Sequence, residues 1–301
     1  MPDKKTILII AGPTAVGKTG IAIEVAKALK APVVSADSRQ CYKGLVIGTA
    51  QPSAEQLAAI PHYFINEFPV EQSLNAADFE ALALGYLDQI FRTNDMAVVC
   101  GGTGLYIKAL CDGLDEMPAM DEKIVTEVNI HFGQYGLSWL QEQVRAQDPL
   151  LFEQIDQQNP ARLLRALSFR LSTGKSLLDF QSKQKKERPF RIIKAGLELP
   201  REILYQRINE RVDIMMQDGF VEEARQFFPQ RHLKNLQTVG YNELFDHLEG
   251  KTTLAEAIEL IKQHTRNYAK RQMTWFRKDP EIKWFRADDA GTIQNMIGLA
   301  G

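Results

Sequence analysis

The segment Gly12-Pro13-Thr14-Ala15-Val16-Gly17-Lys18-Thr19 matches the pattern G-x-x-x-x-G-K-T. It follows the apolar run Thr6–Ala11 and precedes a segment with helical spacing of apolar residues, so it stands between a predicted strand and a predicted helix. In that context, backbone N–H groups and the positive end of the helix attract an anion, Lys18 adds charge, and the Thr19 hydroxyl can bind Mg²⁺. The sequence therefore predicts a phosphate-binding loop, and it leaves open which phosphates the loop holds and whether a nucleotide binds.

The composition argues against several classes of protein, including disulfide-rich, zinc-binding and membrane-spanning proteins. The chain has 301 residues, of which 45% are hydrophobic and 25% charged, and its net charge of −2 gives no global attraction to nucleic acid. The three cysteines form no C-x-x-C pair and the five histidines have no metal-ligand spacing, so neither a disulfide framework nor a zinc site is predicted. No apolar run is long enough to span a bilayer, and we expect a monomeric cytoplasmic protein without membrane contact.

Short apolar runs predict a parallel sheet around the loop. The predicted strands are Thr6–Ala11, Pro32–Ala36 and Met96–Cys100, with helical patterns between them and after the turn Gly101–Gly104. Ligands of such sheets bind at the carboxyl ends of the strands, where Gly12, Asp37 and Thr103 would converge. The predicted fold is α/β, a P-loop NTPase-like core with a parallel sheet flanked by helices.

The pattern changes after about Leu114. Residues 121–180 have helical periodicity and turn signals, and a polar connector, Lys183–Pro189, leads to a predicted strand, Arg191–Leu199, that can return to the sheet. We therefore expect a first part of the core at 1–114, an all-helical insertion at 115–189, and a second part of the core at 190–301.

Two further features are suited to phosphate chemistry. Asp37 ends a predicted strand, where many P-loop enzymes place a carboxylate associated with Mg²⁺. Arg207 and Arg211 lie four residues apart on one helical face, and paired guanidinium groups suit a pyrophosphate. The alternative for the arginines is a solvated face with an ion pair between Arg207 and Glu210.

A basic segment, Lys262–Lys278, contains no acidic residue. Helical spacing puts Arg266, Lys270 and Arg277 on one face, and a second face carries Tyr268, Gln272, Trp275 and Phe276. This spacing predicts a helix whose aromatic residues anchor it in the core, while its basic face is a candidate contact for a phosphate backbone.

Together these motifs resemble those of tRNA dimethylallyltransferases. The resemblance spans nearly the whole chain and is carried, in order, by Gly12–Thr19, Ser35–Tyr42 leading to Ile47–Ala50, Gly101–Thr103, Val239–Tyr241 and Thr265–Arg277. Members of that family transfer a dimethylallyl group from dimethylallyl diphosphate to N6 of the adenosine just 3′ of certain anticodons, with Mg²⁺ and release of diphosphate.

The resemblance implies a role for each site. The loop would hold the diphosphate, with Lys18, Mg²⁺ at Thr19 and Arg211 stabilising its growing charge, and Thr103 would lie between the diphosphate and the adenosine. Asp37 would be the general base that takes a proton from the adenine amine. The adenosine is stacked inside the anticodon stem-loop, so it must be extruded from that stack into the crevice to react. The residues implied in tRNA contact are Asp37, Ser38, Arg39, Gln40, Thr103, Lys123, Val125, Ala161, Arg162, Leu163, Leu164, Arg165, Gln237, Tyr241, Lys270, Arg271 and Arg277.

One position departs from the family. Bacterial relatives commonly carry an arginine near the start of the insertion, where this chain has Val125, so either Lys123 replaces that contact or the contact is missing.

Three other functions remain open at this stage. A P-loop kinase of small metabolites would use Asp37 for metal and the two arginines as a lid, and an adenylate isopentenyltransferase would share the diphosphate chemistry. Neither needs the two regions expected to face RNA. A GTPase-like or purely RNA-binding module is the third, but the sequence contains no N-K-x-D motif.

Overall fold

The structure is a computed structural model that describes residues 5–181 and 184–300. The residues up to Lys4 lie outside the described residues, and so do Ser182 and Lys183. Lys183 is the first residue of the predicted connector. The chain divides into two compact units: unit 1 contains Met1–Gly113 and Glu187–Gly301, and unit 2 contains Leu114–Lys186. The sequence placed the corresponding boundaries at 114/115 and 189/190.

The first part of unit 1 alternates strands and helices. Its elements are β1 (Thr6–Ala11), α1 (Lys18–Leu29), β2 (Val33–Ser35), α2 (Ala54–Ala59), β3 (His62–Tyr63), α3 (Ala76–Phe91), β4 (Met96–Gly101) and α4 (Gly104–Asp112). Every residue of β1 is buried, as expected for a strand of a parallel sheet that is covered on both faces. The side chain of Asn75 accepts hydrogen bonds from the first turn of α3 and thereby fixes where that helix begins.

Unit 2 is helical. It contains α5 (Glu122–Gln147), α6 (Pro149–Gln154), α7 (Pro160–Thr173) and a 3₁₀ turn (Leu177–Phe180). Pro149 and Pro160 each occupy the first turn of a helix, where a missing N–H costs nothing. The backbone of α5 is interrupted at Gly136. The helices enclose a small core of their own, which consists of Val128, Leu140, Val144, Leu151, Phe152, Leu163, Ala166 and Leu167.

The second part of unit 1 begins with the returning strand. Its elements are β5 (Arg191–Glu198), α8 (Arg201–Gln217), α9 (Phe220–Phe227), a 3₁₀ turn (Phe228–Gln230), α10 (Tyr241–Leu248), α11 (Leu254–Phe276), β6 (Lys283–Arg286) and α12 (Thr292–Ala300). The basic segment predicted from sequence forms the C-terminal half of α11 and the turn that follows it.

Within the described residues, six strands form one parallel sheet in the order β3-β2-β4-β1-β5-β6. The registers Ala11↔Gly101 and Ser35↔Cys100 place the ends of β1, β4 and β2 side by side. The predicted α/β fold with a parallel P-loop core is confirmed. The sequence did not predict β3 or β6, which are edge strands of two and four residues.

Arg188 fastens the returning chain to unit 1. Its guanidinium pairs with the carboxylate of Glu80 at 2.7 Å and donates to the carbonyl oxygens of Ala109 and Leu110, both at 2.8 Å. The side chains of the ion pair are almost fully buried. Arg188, which follows unit 2 in the chain, is therefore bound to the end of α4, the helix that precedes unit 2.

Candidate active site

The phosphate loop connects β1 to α1. A Cβ atom on Gly12 would lie 2.7 Å from the carbonyl oxygen of Leu197, so only glycine lets the loop pass this close to β5. Lys18 donates to the carbonyl of Pro13 at 2.7 Å, which folds its ammonium over the loop. Burial lowers the pKa of Lys18 to about 8, although the nearby charge of Asp37 acts in the opposite direction. An anion bound beside Lys18 would favour the charged form of its amine.

The two arginines of α8 both reach the loop. Arg211 donates to the Thr14 hydroxyl at 3.2 Å, and Arg207 donates to the carbonyl of Val16 at 3.4 Å. Burial lowers the pKa of Arg211, and Asp37 opposes this shift. The expected alternative, an ion pair between Arg207 and Glu210, is wrong, because Glu210 instead accepts from Gln206. The arginines belong to the loop rather than to a solvated helical face.

Asp37 and Thr103 are joined at neighbouring strand ends. The Thr103 hydroxyl accepts from the backbone N–H of Ser38 at 3.0 Å, and the Thr103 N–H donates to the carbonyl of Ala36 at 3.2 Å. Oδ1 of Asp37 accepts from the backbone N–H groups of Arg39 and Gln40. Oδ1 therefore fixes the turn, and among the described residues no hydrogen bond reaches Oδ2.

A second loop, residues 45–51, is held from both sides. Gln40 donates to the carbonyls of Thr49 and Ala50, at 3.1 and 3.0 Å. From the opposite side the buried carboxylate of Glu223 accepts from the N–H groups of Val46, Ile47 and Gly48, at 2.8 to 3.0 Å. Glu223 was not predicted from the sequence, because no local motif marks it.

A cavity of about 130 Å³ lies at these elements. Its polar lining includes Thr14, Asp37, Arg39 and Arg211. Its apolar lining includes Val212, Met215, Phe220, Val239 and Ile261. A ligand with both a charged and an apolar part is complementary to such a lining.

A larger basic cleft of about 480 Å³ runs beside α11. Its cationic lining comprises Arg201, Lys270, Arg277 and Arg286, over an apolar floor that includes Leu199, Leu204 and Met273. Arg277 pairs with Glu198 at 3.4 Å, and the exposed Arg271 lies over the ring of Tyr268. Two of these cations, Arg201 and Arg286, were not predicted from the sequence.

The expectation that the aromatic residues of α11 all anchor it in the core is wrong for Trp275. Phe276 is buried, but Trp275 is 41% exposed, and its indole covers Gly104. The reason is that the indole packs on the start of α4, at the rim of the site, rather than beneath the sheet.

The remaining predicted tRNA-contacting positions differ in accessibility. Lys123, Ala161, Arg162, Arg165, Gln237 and Lys270 are exposed, and Ser38, Val125 and Leu164 are half-buried. Leu163 and Tyr241 are 0% exposed, the first in the core of unit 2 and the second against Glu223. Neither residue reaches the surface, so the structure offers no support for the expected RNA contacts at these two positions.

The protein ligands available to a metal are few. No cluster of three or more His, Cys, Asp or Glu side chains suited to a metal occurs in residues 5–181 and 184–300. Thr19 lies in the first turn of α1, as the loop motif requires for a hydroxyl that binds Mg²⁺. Over the same residues no helix is long and apolar enough to cross a membrane.

The fold and site define a P-loop protein whose phosphate loop is followed, at the next two strand ends, by a carboxylate and a hydroxyl. Comparison with known proteins gives the family: the model of the IPP transferase family matches residues 40–279, and the chain belongs to that family.

The relatives support this assignment over the full length. A tRNA dimethylallyltransferase of Phocaeicola vulgatus is 45% identical over 297 residues, which cover 99% of this chain and 98% of that protein. The crystal structure of the tRNA isopentenylpyrophosphate transferase of Bacillus halodurans superposes with a TM-score of 0.73 at 34% identity, covering 99% of this chain and 96% of that one. A eukaryotic dimethylallyltransferase acting on tRNA shares the fold, with a TM-score of 0.79 at 24% identity over 98% of this chain and 77% of its own.

Proposed function

We propose that this protein transfers a dimethylallyl group from dimethylallyl diphosphate to N6 of the adenosine immediately 3′ of the anticodon in tRNA, releasing diphosphate. The observation that carries the proposal is the convergence of the phosphate loop, Asp37 and Thr103 at three adjacent strand ends, in a chain of the IPP transferase family. A binding site for the leaving group, a base and a hydroxyl thus meet in one crevice.

The leaving group is stabilised from two sides. The loop offers backbone N–H groups and Lys18, while Arg211 approaches from α8 through its contact with Thr14. As the bond between C1 and oxygen breaks, negative charge grows on the diphosphate, and donors that are already in place stabilise it without reorganisation. The allylic carbon carries the complementary positive charge by resonance.

Asp37 acts as the base. The amine of adenine is a weak nucleophile, so a carboxylate that takes a proton from N6 as the new bond to C1 forms assists the reaction. The turn after β2 holds Oδ1 of Asp37, which leaves Oδ2 to face the substrate. Thr103 positions this turn through Ser38.

The site suits a magnesium ion that binds together with the diphosphate. The protein ligand it would find is the Thr19 hydroxyl, and Mg²⁺ typically takes its other ligands from phosphate oxygens and water. Bound there, Mg²⁺ would neutralise part of the charge of the leaving group.

For RNA we propose contacts on both units. In unit 1 the basic cleft beside α11 provides Lys270 and Arg277, and the exposed Arg271 lies on the same helix. The turn Asp37–Gln40 faces the extruded adenosine. In unit 2 the exposed side chains Arg162 and Arg165 are the cationic candidates. Lys123, exposed at the start of α5, is a further cationic candidate two residues before Val125, where the family resemblance led us to expect an arginine.

One assay tests the function. Labelled dimethylallyl diphosphate is incubated with Mg²⁺ and, separately, an unmodified tRNA anticodon stem-loop, AMP and ATP. Label in the stem-loop alone is the expected result. Label in AMP or ATP would identify an adenylate isopentenyltransferase instead, and the same stem-loop with guanosine at the acceptor position is the matched control.

A further inference from the structure

Gln272 joins the two halves of the site. It lies in the basic segment near the C-terminal end of α11, yet it is only 6% exposed. Its Oε1 accepts from the backbone N–H of Thr14 at 2.8 Å, and its Nε2 donates to the carbonyl of Gly102 at 2.9 Å. One amide therefore bridges the phosphate loop after β1 and the turn after β4.

The close contact between Gln272 and Gly102 depends on the glycine and on the position of Gln272 on α11. A Cβ atom on Gly102 would lie 2.3 Å from Nε2 of Gln272, so the glycine admits the amide. Successive residues of a helix are rotated by about 100°, which turns Gln272 away from the face of Lys270 and Arg277. A segment that reads as uniformly basic thus contributes to two different surfaces.

The bridged atoms lead directly to the reacting groups. Thr14 carries the contact with Arg211, which faces the leaving group. Gly102 immediately precedes Thr103, whose hydroxyl holds Ser38 beside Asp37. A path of hydrogen bonds and covalent backbone links therefore runs from Arg211 to Asp37, and Gln272 is its central link.

We propose that Gln272 is a positioning residue that sets the separation between the diphosphate and the acceptor amine, and that it is not an RNA ligand. This inference rests on the proposed function. Because a reaction between two bound groups is sensitive to displacements of about 1 Å, loss of the bridge lowers the rate of the chemical step ten- to a hundredfold. Affinity for RNA changes little, since the amide is buried.

The test compares Gln272→Met with Gln263→Met, a substitution of the same type at an exposed position of α11. Single-turnover rates are measured with saturating dimethylallyl diphosphate and stem-loop, together with the dissociation constant for the stem-loop and the thermal unfolding midpoint. We expect a slower Gln272→Met with RNA affinity within twofold of wild type, and an unaffected Gln263→Met.

A Gln272→Met rate within twofold of wild type, or weakened RNA binding with an intact rate, would overturn the inference while the proposed function stands. A wild-type protein that labels no stem-loop would overturn the proposed function, and this inference with it. If Gln272→Met does not fold, Gln272→Asn replaces it, because the shorter amide retains polarity but cannot reach both partners, and the same two outcomes decide.

Discussion

The hydroxyl of Tyr241 donates to Oε1 of Glu223 over 2.6 Å, and neither side chain is more than 8% exposed. Burial and the neighbouring carboxylate raise the pKa of Tyr241 well above its usual value, so the phenol stays protonated and remains a donor. With the three N–H groups of loop 45–51, Glu223 has four hydrogen-bond donors around one carboxylate. The loop that lines the cavity is thereby fixed to α9 and α10.

Glu223→Gln tests this arrangement. The amide replaces one accepting oxygen with an N–H₂ group, so backbone donors of the loop lose their partner in a buried place, at a cost of about 1 to 3 kcal/mol. We expect that loss in the free energy of unfolding by urea, together with a slower transfer reaction. Glu222→Gln, an exposed neighbour on α9, is the control. Equal stabilities of the two variants would contradict the role of Glu223.

Asp37→Asn separates a base from a metal ligand. The amide keeps the shape but cannot take up a proton, so the single-turnover rate should fall by about a hundredfold or more. Binding of Mg²⁺ and diphosphate should persist. The rate is measured across a Mg²⁺ titration, and recovery of the rate at high Mg²⁺ would show that Asp37 chiefly holds the metal.

Lys18→Ala and Arg211→Ala remove donors to the leaving group. Each should raise the barrier of the chemical step by about 2 to 4 kcal/mol, the range for loss of one preorganised donor to developing charge. Affinity for the stem-loop, measured by fluorescence anisotropy, should hardly change. Wild-type single-turnover rates at saturating substrate would exclude these side chains from the diphosphate site.

The pKa of Lys18 predicts how diphosphate binding depends on pH. The value is lowered to about 8, so the ammonium is present below that pH and is lost above it in the ligand-free protein. Affinity for inorganic diphosphate with Mg²⁺, measured by calorimetry, should therefore weaken as pH rises from about 7.5 to 9. Lys18→Arg keeps its charge over this range and should abolish the dependence. A wild-type affinity that is constant with pH would reject the assignment.

The RNA footprint is tested through salt dependence. Each cation that contacts a phosphate releases counterions, so the slope of log affinity against log salt should become shallower by about one unit for each of Lys270, Arg271 and Arg277 that is replaced by alanine. Lys27→Ala is the control, because Lys27 lies in the last turn of α1, and the phosphate loop lies at the other end of that helix. An unchanged slope in the triple variant would remove α11 from the interface.

The sequence predicts those parts of the site that local patterns encode. Apolar runs gave β1, β2, β4 and β5 to within two residues, and the loop motif placed Lys18 and Thr19. Strands as short as β3 have no periodicity to detect.

Glu223 and Gln272 escaped prediction for a different reason. Each is one of several polar residues in its helix, and its partners lie between 170 and 258 residues away along the chain, except for Tyr241. Only the folded arrangement shows that these side chains are buried and that the site depends on them. The helical spacing does place Gln272 on the aromatic face of α11, where a polar residue by itself indicates a buried hydrogen bond, but it does not identify the partners.

The bonds from Arg188 to Glu80 and to the end of α4 close residues 114–186 into a loop at its base. The chain leaves unit 1 after α4 and returns to it at Arg188, which is bound to the end of α4. This contact brings β5 to its place beside β1 independently of the residues between the two points. The entropy lost on closing a loop grows only with the logarithm of its length, and insertions or deletions inside it therefore change the stability of the core very little. The length of the helical unit is thus uncoupled from the order of the strands, and β5 can take its place beside β1 independently of how many residues the unit contains.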